Sequence, residues 1–198
     1  CIDDPLEIPC SQKPNVFPAT QFLRMINEGK KMELGQKAAV IGGNNIAMEV
    51  ARSLIRLGVH DVTIIYPRAK IEMPANQRNI REAEAEGVKF LLMATPIEIC
   101  GPSTTDTRLR LDLIRTKLGE PDNRGRREAL PIPGSKNTMY VDTIVSSLGQ
   151  MTAREQLPGG EIEARLELTQ RGAIVANPRT SQTNIEGVFA GGDAVSGP

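Results

Sequence analysis

Lys37-Ala38-Ala39-Val40-Ile41-Gly42-Gly43-Asn44-Asn45-Ile46-Ala47-Met48-Glu49-Val50-Ala51-Arg52-Ser53-Leu54-Ile55-Arg56-Leu57-Gly58 is the stretch whose reading decides the fold. Its first five residues form a short apolar run ending in two glycines, which reads as a buried strand entering a tight turn. From Asn45 the rhythm becomes helical. Ile46, Ala47, Val50, Ala51 and Leu54 recur at three- and four-residue spacing, Arg52 and Arg56 fall on the wet side, and Gly58 closes the helix. Val62-Thr63-Ile64-Ile65-Tyr66 follows as a β-branched second strand. Strand, glycine turn, helix and strand within about 30 residues make a βαβ unit with a right-handed crossover.

Working outward, residues 1–18 carry Pro5, Pro9, Pro14 and Pro18 without periodicity and read as an extended lead-in. Thr20 is expected to cap a helix from Gln21 to about Glu28, with Phe22, Leu23 and Ile26 on one face and Gly29 at its end. Downstream, a charged helix is expected from about Gln77 to Glu86, where Glu82, Glu84 and Glu86 read as a solvated face. Val88 to Met93 reads as a third parallel strand. The pattern then alternates: Ile97 to Cys100, Thr107 to Leu118 and Glu128 to Ile132 read as antiparallel strands, with a turn over Gly119 to Gly125. Val141 to Leu148 returns to a buried strand ended by Gly149-Gln150. From Met151 the chain reads as irregular until Gly187-Val188-Phe189-Ala190-Gly191-Gly192-Asp193, again a strand running into glycines. The expected fold class is α/β: a Rossmann-like domain with a central parallel sheet and an antiparallel β extension.

Composition narrows the function classes. Among 198 residues, Lys+Arg and Asp+Glu number 24 each, so no long-range field would attract nucleic acid or an anionic membrane. Apolar runs are broken by charge, as at Lys89 and Glu98, and none approaches the roughly 20 residues of a transmembrane helix. The acidic start Cys1-Ile2-Asp3-Asp4 has no signal-peptide character. Three scattered cysteines, Cys1, Cys10 and Cys100, suit a reducing cytoplasm better than a disulfide framework. Their spacing fits no metal site, and His60, the only histidine, reads as a surface residue. No metal ligand and no catalytic side chain is expected. The chain does not begin with Met and stops at Gly197-Pro198, so it is expected to be a piece of a longer parent.

The glycine turn carries the chemistry. In such a unit the first helix aims its unpaired N–H groups and positive dipole end at a pyrophosphate, and glycines let backbone approach phosphate oxygens. Against the pattern G-x-G-x-x-A, Gly42 and Ala47 match and Asn44 replaces the middle glycine; asparagine tolerates positive φ, so the turn survives. Gly42, Gly43, Asn44, Asn45, Ile46 and Ala47 are therefore the candidate pyrophosphate residues. An NAD-selective site places a carboxylate after the second strand. Here Tyr66-Pro67-Arg68-Ala69-Lys70 stands in that place, and Asp61 lies at the wrong end. Arg68 and Lys70 are candidates to hold a 2′-phosphate, with Tyr66 or Arg68 stacked near the adenine, so NADP(H) is preferred over NAD(H).

These residues, with Glu72-Met73-Pro74-Ala75, Leu118-Gly119-Glu120-Pro121-Asp122, Pro131-Ile132-Pro133-Gly134-Ser135 and Ser147-Leu148-Gly149-Gln150, resemble the small (beta) subunit of NADPH-dependent glutamate synthase. The corresponding parts of dihydropyrimidine dehydrogenase and electron-bifurcating transhydrogenase share that resemblance. Gly187 to Pro198 is similar to the second FAD motif of the same family. The resemblance implies a nicotinamide domain inserted in an FAD domain, with hydride passing from NADPH to flavin N5 and electrons leaving through iron–sulfur clusters. It implies that Gly149 sits at the end of the nucleotide cleft and that Asp193, after Gly191 and Gly192, faces the ribityl or phosphate side of FAD. It divides the chain into 1–18, a lead-in from the FAD domain; 19–150, the NADP(H)-binding domain; and 151–198, the return to the FAD domain. The chain departs from the family at Asn44, for glycine, and at Pro67, for arginine.

The expected partners are NADPH, the remainder of the FAD domain and an electron-accepting iron–sulfur subunit or domain. FAD itself is not expected to be retained by these residues alone, and the isolated piece is expected to be inactive. Two other readings stay open on the residues. One is a non-catalytic nucleotide-binding or scaffold module whose site Asn44 has blunted. The other is part of a flavin-dependent disulfide reductase whose dithiol lies elsewhere.

Overall fold

The structure, a computed structural model, describes residues 2–3, 6, 13–101, 108–122, 125, 127–151, 165–169 and 172–196. Cys1, Cys10, Pro5, Pro9, Thr107, Asn123, Arg124, Gly197 and Pro198, all used above, lie outside the described residues. The chain divides into two compact units, Pro5–Leu148 and a smaller one formed by Cys1–Asp4 with Gly149–Pro198.

In chain order, the elements begin with β1 (Ile2–Asp3), β2 (Val16–Pro18), helix α1 (Ala19–Asn27), β3 (Lys37–Gly42), helix α2 (Asn45–Arg56) and β4 (Asp61–Tyr66). They continue with a 3-10 turn at Lys70–Glu72, helix α3 (Gln77–Ala85), β5 (Lys89–Leu92), β6 (Ala94–Cys100), β7 (Leu109–Pro121), β8 (Arg127–Val141), β9 (Thr143–Ser147) and β10 (Gln150–Met151). In the larger unit, five strands form a parallel sheet in the order β2-β9-β3-β4-β5, and β6-β7-β8 form an antiparallel sheet.

The apolar run of β3 is buried because both faces of the parallel sheet are covered. Ala38 and Val40, with Val62 and Ile64, pack under the helices against Met48, Val50, Leu54 and Phe22. Ala39 and Ile41, with Ile65 and Ile144, face Ile99, Leu109, Leu111 and Leu113 of the antiparallel sheet. Alternate residues of one strand thus serve two cores. Asp142 fastens the amino end of this sheet: its Oδ2 accepts the backbone N–H of Gln36 at 2.7 Å and of Lys37 at 2.9 Å.

Several local expectations change. Helix α1 starts at Ala19 after the extended Pro18 rather than from a Thr20 cap, because Pro18 fixes its own φ and leaves no side-chain cap hydrogen bond. The lead-in ends in a strand, with Val16, Phe17 and Pro18 paired to Ile144, Val145 and Ser146. The acidic side of α3 is solvent-accessible but also engaged in ion pairs. Glu82 and Glu86 pair with Arg52 at 2.8 and 2.7 Å, Glu86 with Arg56 at 2.7 Å, and Glu84 with Lys70, so the half-buried Arg52 and the exposed Arg56 of α2 tie down α3. Strand β8 runs far beyond Ile132, to Val141, through Pro131, Pro133 and Gly134. It is the outer strand of its sheet, where missing N–H donors cost little, and a register shift opposite Ile114/Thr116 absorbs the irregularity.

In the smaller unit β1 pairs antiparallel with β10, Ile2 opposite Met151. The expected strand at 187–190 is a single bridge between Gln182 and Phe189. A positive φ at Ser181 (60°) and at Gly187 (77°) folds the segment into turns, which prevents a ladder from propagating. A four-residue helix, Asp193–Ser196, follows.

Candidate functional site

The strand order reverses direction at β3: the chain continues to β4 and β5 on one side, while β9 and β2 lie on the other. Open α/β sheets place ligands outside the carboxyl ends of their strands at such a switch point. A crevice of about 490 Å³ lies there, lined by Gly42, Gly43, Asn44, Tyr66, Arg68 and Ser147 among others.

The turn beneath it is dictated by close packing. Gly42 has φ +139°, and a Cβ there would sit 2.1 Å from the Ser147 carbonyl oxygen. Gly43 lies against the Tyr66 ring, 2.6 Å from its nearest atoms to any added Cβ. The Gly43 carbonyl accepts the Ala75 N–H at 3.0 Å, which folds the Glu72-Met73-Pro74-Ala75 segment over the turn and puts Pro74 on the crevice wall.

Asn44 does not use a left-handed conformation; it is extended, with φ −87° and ψ 178°, and is the N-cap of α2. Its Oδ1 accepts the Ala47 N–H at 2.8 Å and the Ser147 hydroxyl at 2.8 Å. Of the first-turn donors, Ala47 N–H is thereby taken, whereas Asn45 and Ile46 N–H have no acceptor within the helix. The Asn45 side chain faces α3: its Oδ1 accepts Asn76 N–H at 2.8 Å and Asn79 Nδ2 at 3.0 Å.

The cations separate. Arg68 lines the crevice with its guanidinium 5.5 Å from the centre of the Tyr66 ring, and no carboxylate pairs with it among the described residues. Lys70 is turned toward α3, paired with Glu84 and lying 5.3 Å from the Phe90 ring centre. Tyr66 is 5% exposed and donates its hydroxyl to the Glu72 carbonyl at 2.8 Å. It therefore acts as a platform between Gly43 and Arg68. Burial pushes the Tyr66 phenol above its ordinary range, with Arg68 pulling the other way. Asp61 stands at the opposite end of β4, paired with Lys89 at 3.0 Å and Lys37 at 3.6 Å, away from Arg68.

Two residues escaped the sequence reading. Ser147 was visible as part of a motif but not as the partner of Asn44, since that contact spans 103 positions in the chain. Thr116 donates its hydroxyl to the Pro67 carbonyl at 2.6 Å and its N–H to the Met93 carbonyl at 2.8 Å, bracing the loop that bears Arg68. The alternation of β7 marked its core face but gave no sign of this brace.

The remaining candidates belong to the smaller unit. Gly149 has φ +152° and Gly192 φ +63°, and Asp193 opens the four-residue helix after Gly191 and Gly192. Cys100, on β6, is a free thiol near the Arg110 guanidinium (3.1 Å), pushed up by burial. Among the described residues no group of three His, Cys, Asp or Glu side chains is arranged to hold a metal ion, and no helix is long and apolar enough to cross a membrane.

Comparison with known proteins gives a consistent neighbourhood. The family described as pyridine nucleotide-disulphide oxidoreductase matches residues 5–198. The beta subunit of the NADP(+)-dependent formate dehydrogenase of Moorella thermoacetica is 39% identical over 91% of this chain and 25% of its own length. The small chain of NADPH glutamate synthase from Azospirillum brasilense is 33% identical over 97% of this chain and 41% of its own length. The chain thus spans between a quarter and about two-fifths of these curated relatives. Among solved structures, FprA from Mycobacterium tuberculosis in complex with NADPH superposes with a TM-score of 0.72 over all of this chain and 56% of that one, at 19% identity.

Proposed function

Since the chain belongs to the pyridine nucleotide-disulphide oxidoreductase family, we propose that it is the NADPH-binding part of a flavoprotein oxidoreductase related to the small chain of glutamate synthase. The observation that carries the reading is the crevice at the β3/β9 switch point, floored by the Gly42–Ile46 turn and rimmed by Arg68, a cation without a carboxylate partner among the described residues.

The residues present fit a dinucleotide. Asn45 and Ile46 offer N–H groups at the positive end of α2 for the pyrophosphate. Arg68, already held by Tyr66 and by the Thr116 brace, is pre-set to meet a 2′-phosphate with a charge-assisted hydrogen bond. Lys70 is a weaker participant because Glu84 already neutralises it. Pro67 and Pro74 give the rim rigid apolar walls. When bound, the two cofactors supply the hydride donor and acceptor chemistry, so this chain's task is positioning and exclusion of water rather than proton transfer.

The proposed division follows the two units: Pro5–Leu148, whose sheet includes the end of the expected 1–18 lead-in as β2, serves NADP(H), and Cys1–Asp4 with Gly149–Pro198 belongs to the FAD domain, where Gly191, Gly192 and Asp193 would contribute one edge of the flavin site and the rest would come from chain beyond these residues. Delivery of electrons to iron–sulfur clusters in a partner domain or subunit, and a cytoplasmic setting, complete the proposal. Support comes from relatives named as subunits of NADP(H)-linked enzymes.

Calorimetric titration of the 198-residue chain with NADPH and NADH tests the reading. Micromolar NADPH binding with weaker NADH binding is expected; millimolar or absent binding of both would overturn it.

A further inference from the structure

We infer that the Asn44 carboxamide, held in one orientation by Ser147, is a side-chain donor to the diphosphate, taking over a contact that a glycine at this position leaves to the backbone. This rests on the nucleotide reading above and concerns the residue by which this chain departs from the glycine pattern.

A carboxamide has one acceptor oxygen with two lone pairs and one nitrogen with two N–H groups. The Ala47 backbone N–H can only donate, so the Asn44 atom 2.8 Å from it is the oxygen. The Ser147 hydroxyl, also at 2.8 Å, fills the second lone pair of that oxygen. Flipping the amide would set its NH₂ against the Ala47 N–H and leave that buried donor without an acceptor. Ser147 is 3% exposed, so water does not compete for its hydroxyl. The orientation is therefore fixed by two donors on elements that meet at the switch point, one on α2 and one at the end of β9.

What remains of the side chain is Nδ2, which has no partner among the described residues, and Asn44 lines the crevice. The substitution consumes one helix donor, Ala47 N–H, and offers two side-chain N–H groups in its place. Together with Asn45 and Ile46 N–H these form a donor set for the non-bridging oxygens of a diphosphate ester. The carboxamide is neutral, so it recognises those oxygens by direction and not by net charge. Ser147 is a positioning residue: it acts through Asn44.

The test uses the whole chain, with NADPH as the probe that carries a diphosphate and 2′-AMP as the probe that carries only the Arg68-facing phosphate. Asn44→Ser keeps a good helix cap and removes the NH₂. It should weaken NADPH about tenfold or more and leave 2′-AMP unchanged. Ser147→Ala should weaken NADPH by a smaller factor, again without affecting 2′-AMP. In ¹⁵N NMR, the Asn44 side-chain NH₂ pair should shift on adding NADPH and stay in place on adding 2′-AMP. NADPH affinity unchanged in Asn44→Ser, or raised in Asn44→Gly, would overturn the inference while leaving the nucleotide reading intact. Failure of the unaltered chain to bind either probe would overturn both.

Discussion

Replacing Gly43 with alanine asks whether the second glycine of the turn is required by the protein's own packing or only by a ligand. The added Cβ would lie 2.6 Å from Cδ2 and Cε2 of Tyr66, and ordinary contact begins near 3.4 Å, so ring or turn must retreat by about 0.8 Å. The ring is poorly able to give way. It is buried, its hydroxyl is bonded to the Glu72 carbonyl at 2.8 Å, and the turn is tied to Ala75 at 3.0 Å. Overpacking of this kind costs about 1–3 kcal/mol, and loss of the hydroxyl bond adds about 1 kcal/mol. With a urea m-value of about 2 kcal/mol/M, the unfolding midpoint measured by circular dichroism should fall by about 1–2 M. In a Tyr66→Val background, where the obstructing ring atoms are gone, the alanine penalty should drop below about 1 kcal/mol, revealing the pair as coupled. A Gly43→Ala midpoint equal to that of the native chain would refute the reasoning. So would a penalty of full size in the Tyr66→Val background.

Arg68→Gln should reduce NADPH affinity by about 10- to 100-fold and change NADH affinity by less than about 2-fold, because only the 2′-phosphate offers the guanidinium a charged partner; equal losses by calorimetry would mean Arg68 acts through Tyr66. Acid should loosen the α2–α3 clamp. Arg56, then Arg52, hold Glu86 below the usual carboxylate range, and Arg78 chiefly does so for Glu82. Their stabilisation is complete above the unfolded value near 4.5 and is lost as pH falls through the lower folded values. Urea midpoints between pH 6 and pH 3 should therefore fall more steeply in the native chain than in an Arg52→Met/Arg56→Met variant. Asp142→Ala, at the far end of the sheet, should cost about 2 kcal/mol in urea unfolding through loss of two backbone partners, yet leave NADPH affinity in place.

The parts of this molecule that were legible in its sequence are those set by local rules. The β3–α2–β4 unit was read within a residue or two because burial on both faces forces an apolar run, and a one-sided helix forces a three- and four-residue rhythm. The continuation of β8 past Ile132 was not legible, since Pro133 and Gly134 argue against a strand unless its place at the sheet margin is known. Glu82, Glu84 and Glu86 looked like solvated charge because their partners, Arg52, Arg56 and Lys70, lie on other elements. Gly42, Asn44 and Arg68, singled out in the sequence as nucleotide candidates, all line the one crevice. The same reading treated Arg68 and Lys70 as equivalent, and only the packing of α3 separates them. The Asn44–Ser147 contact depends on which strand lies beside β3, a matter of topology that no local pattern encodes.

The brace from Thr116 to Pro67 has a practical side for anyone hoping to retune coenzyme preference by redesigning the loop after β4. That loop borrows its shape from a strand 49 positions away, at a point where the β7–β8 register slips. A transplanted acidic loop would arrive without its foundation unless the Thr116 bulge travelled with it. Conversely, the distal hairpin beyond Leu118 could be shortened or decorated as a handle, leaving the footing of the arginine untouched.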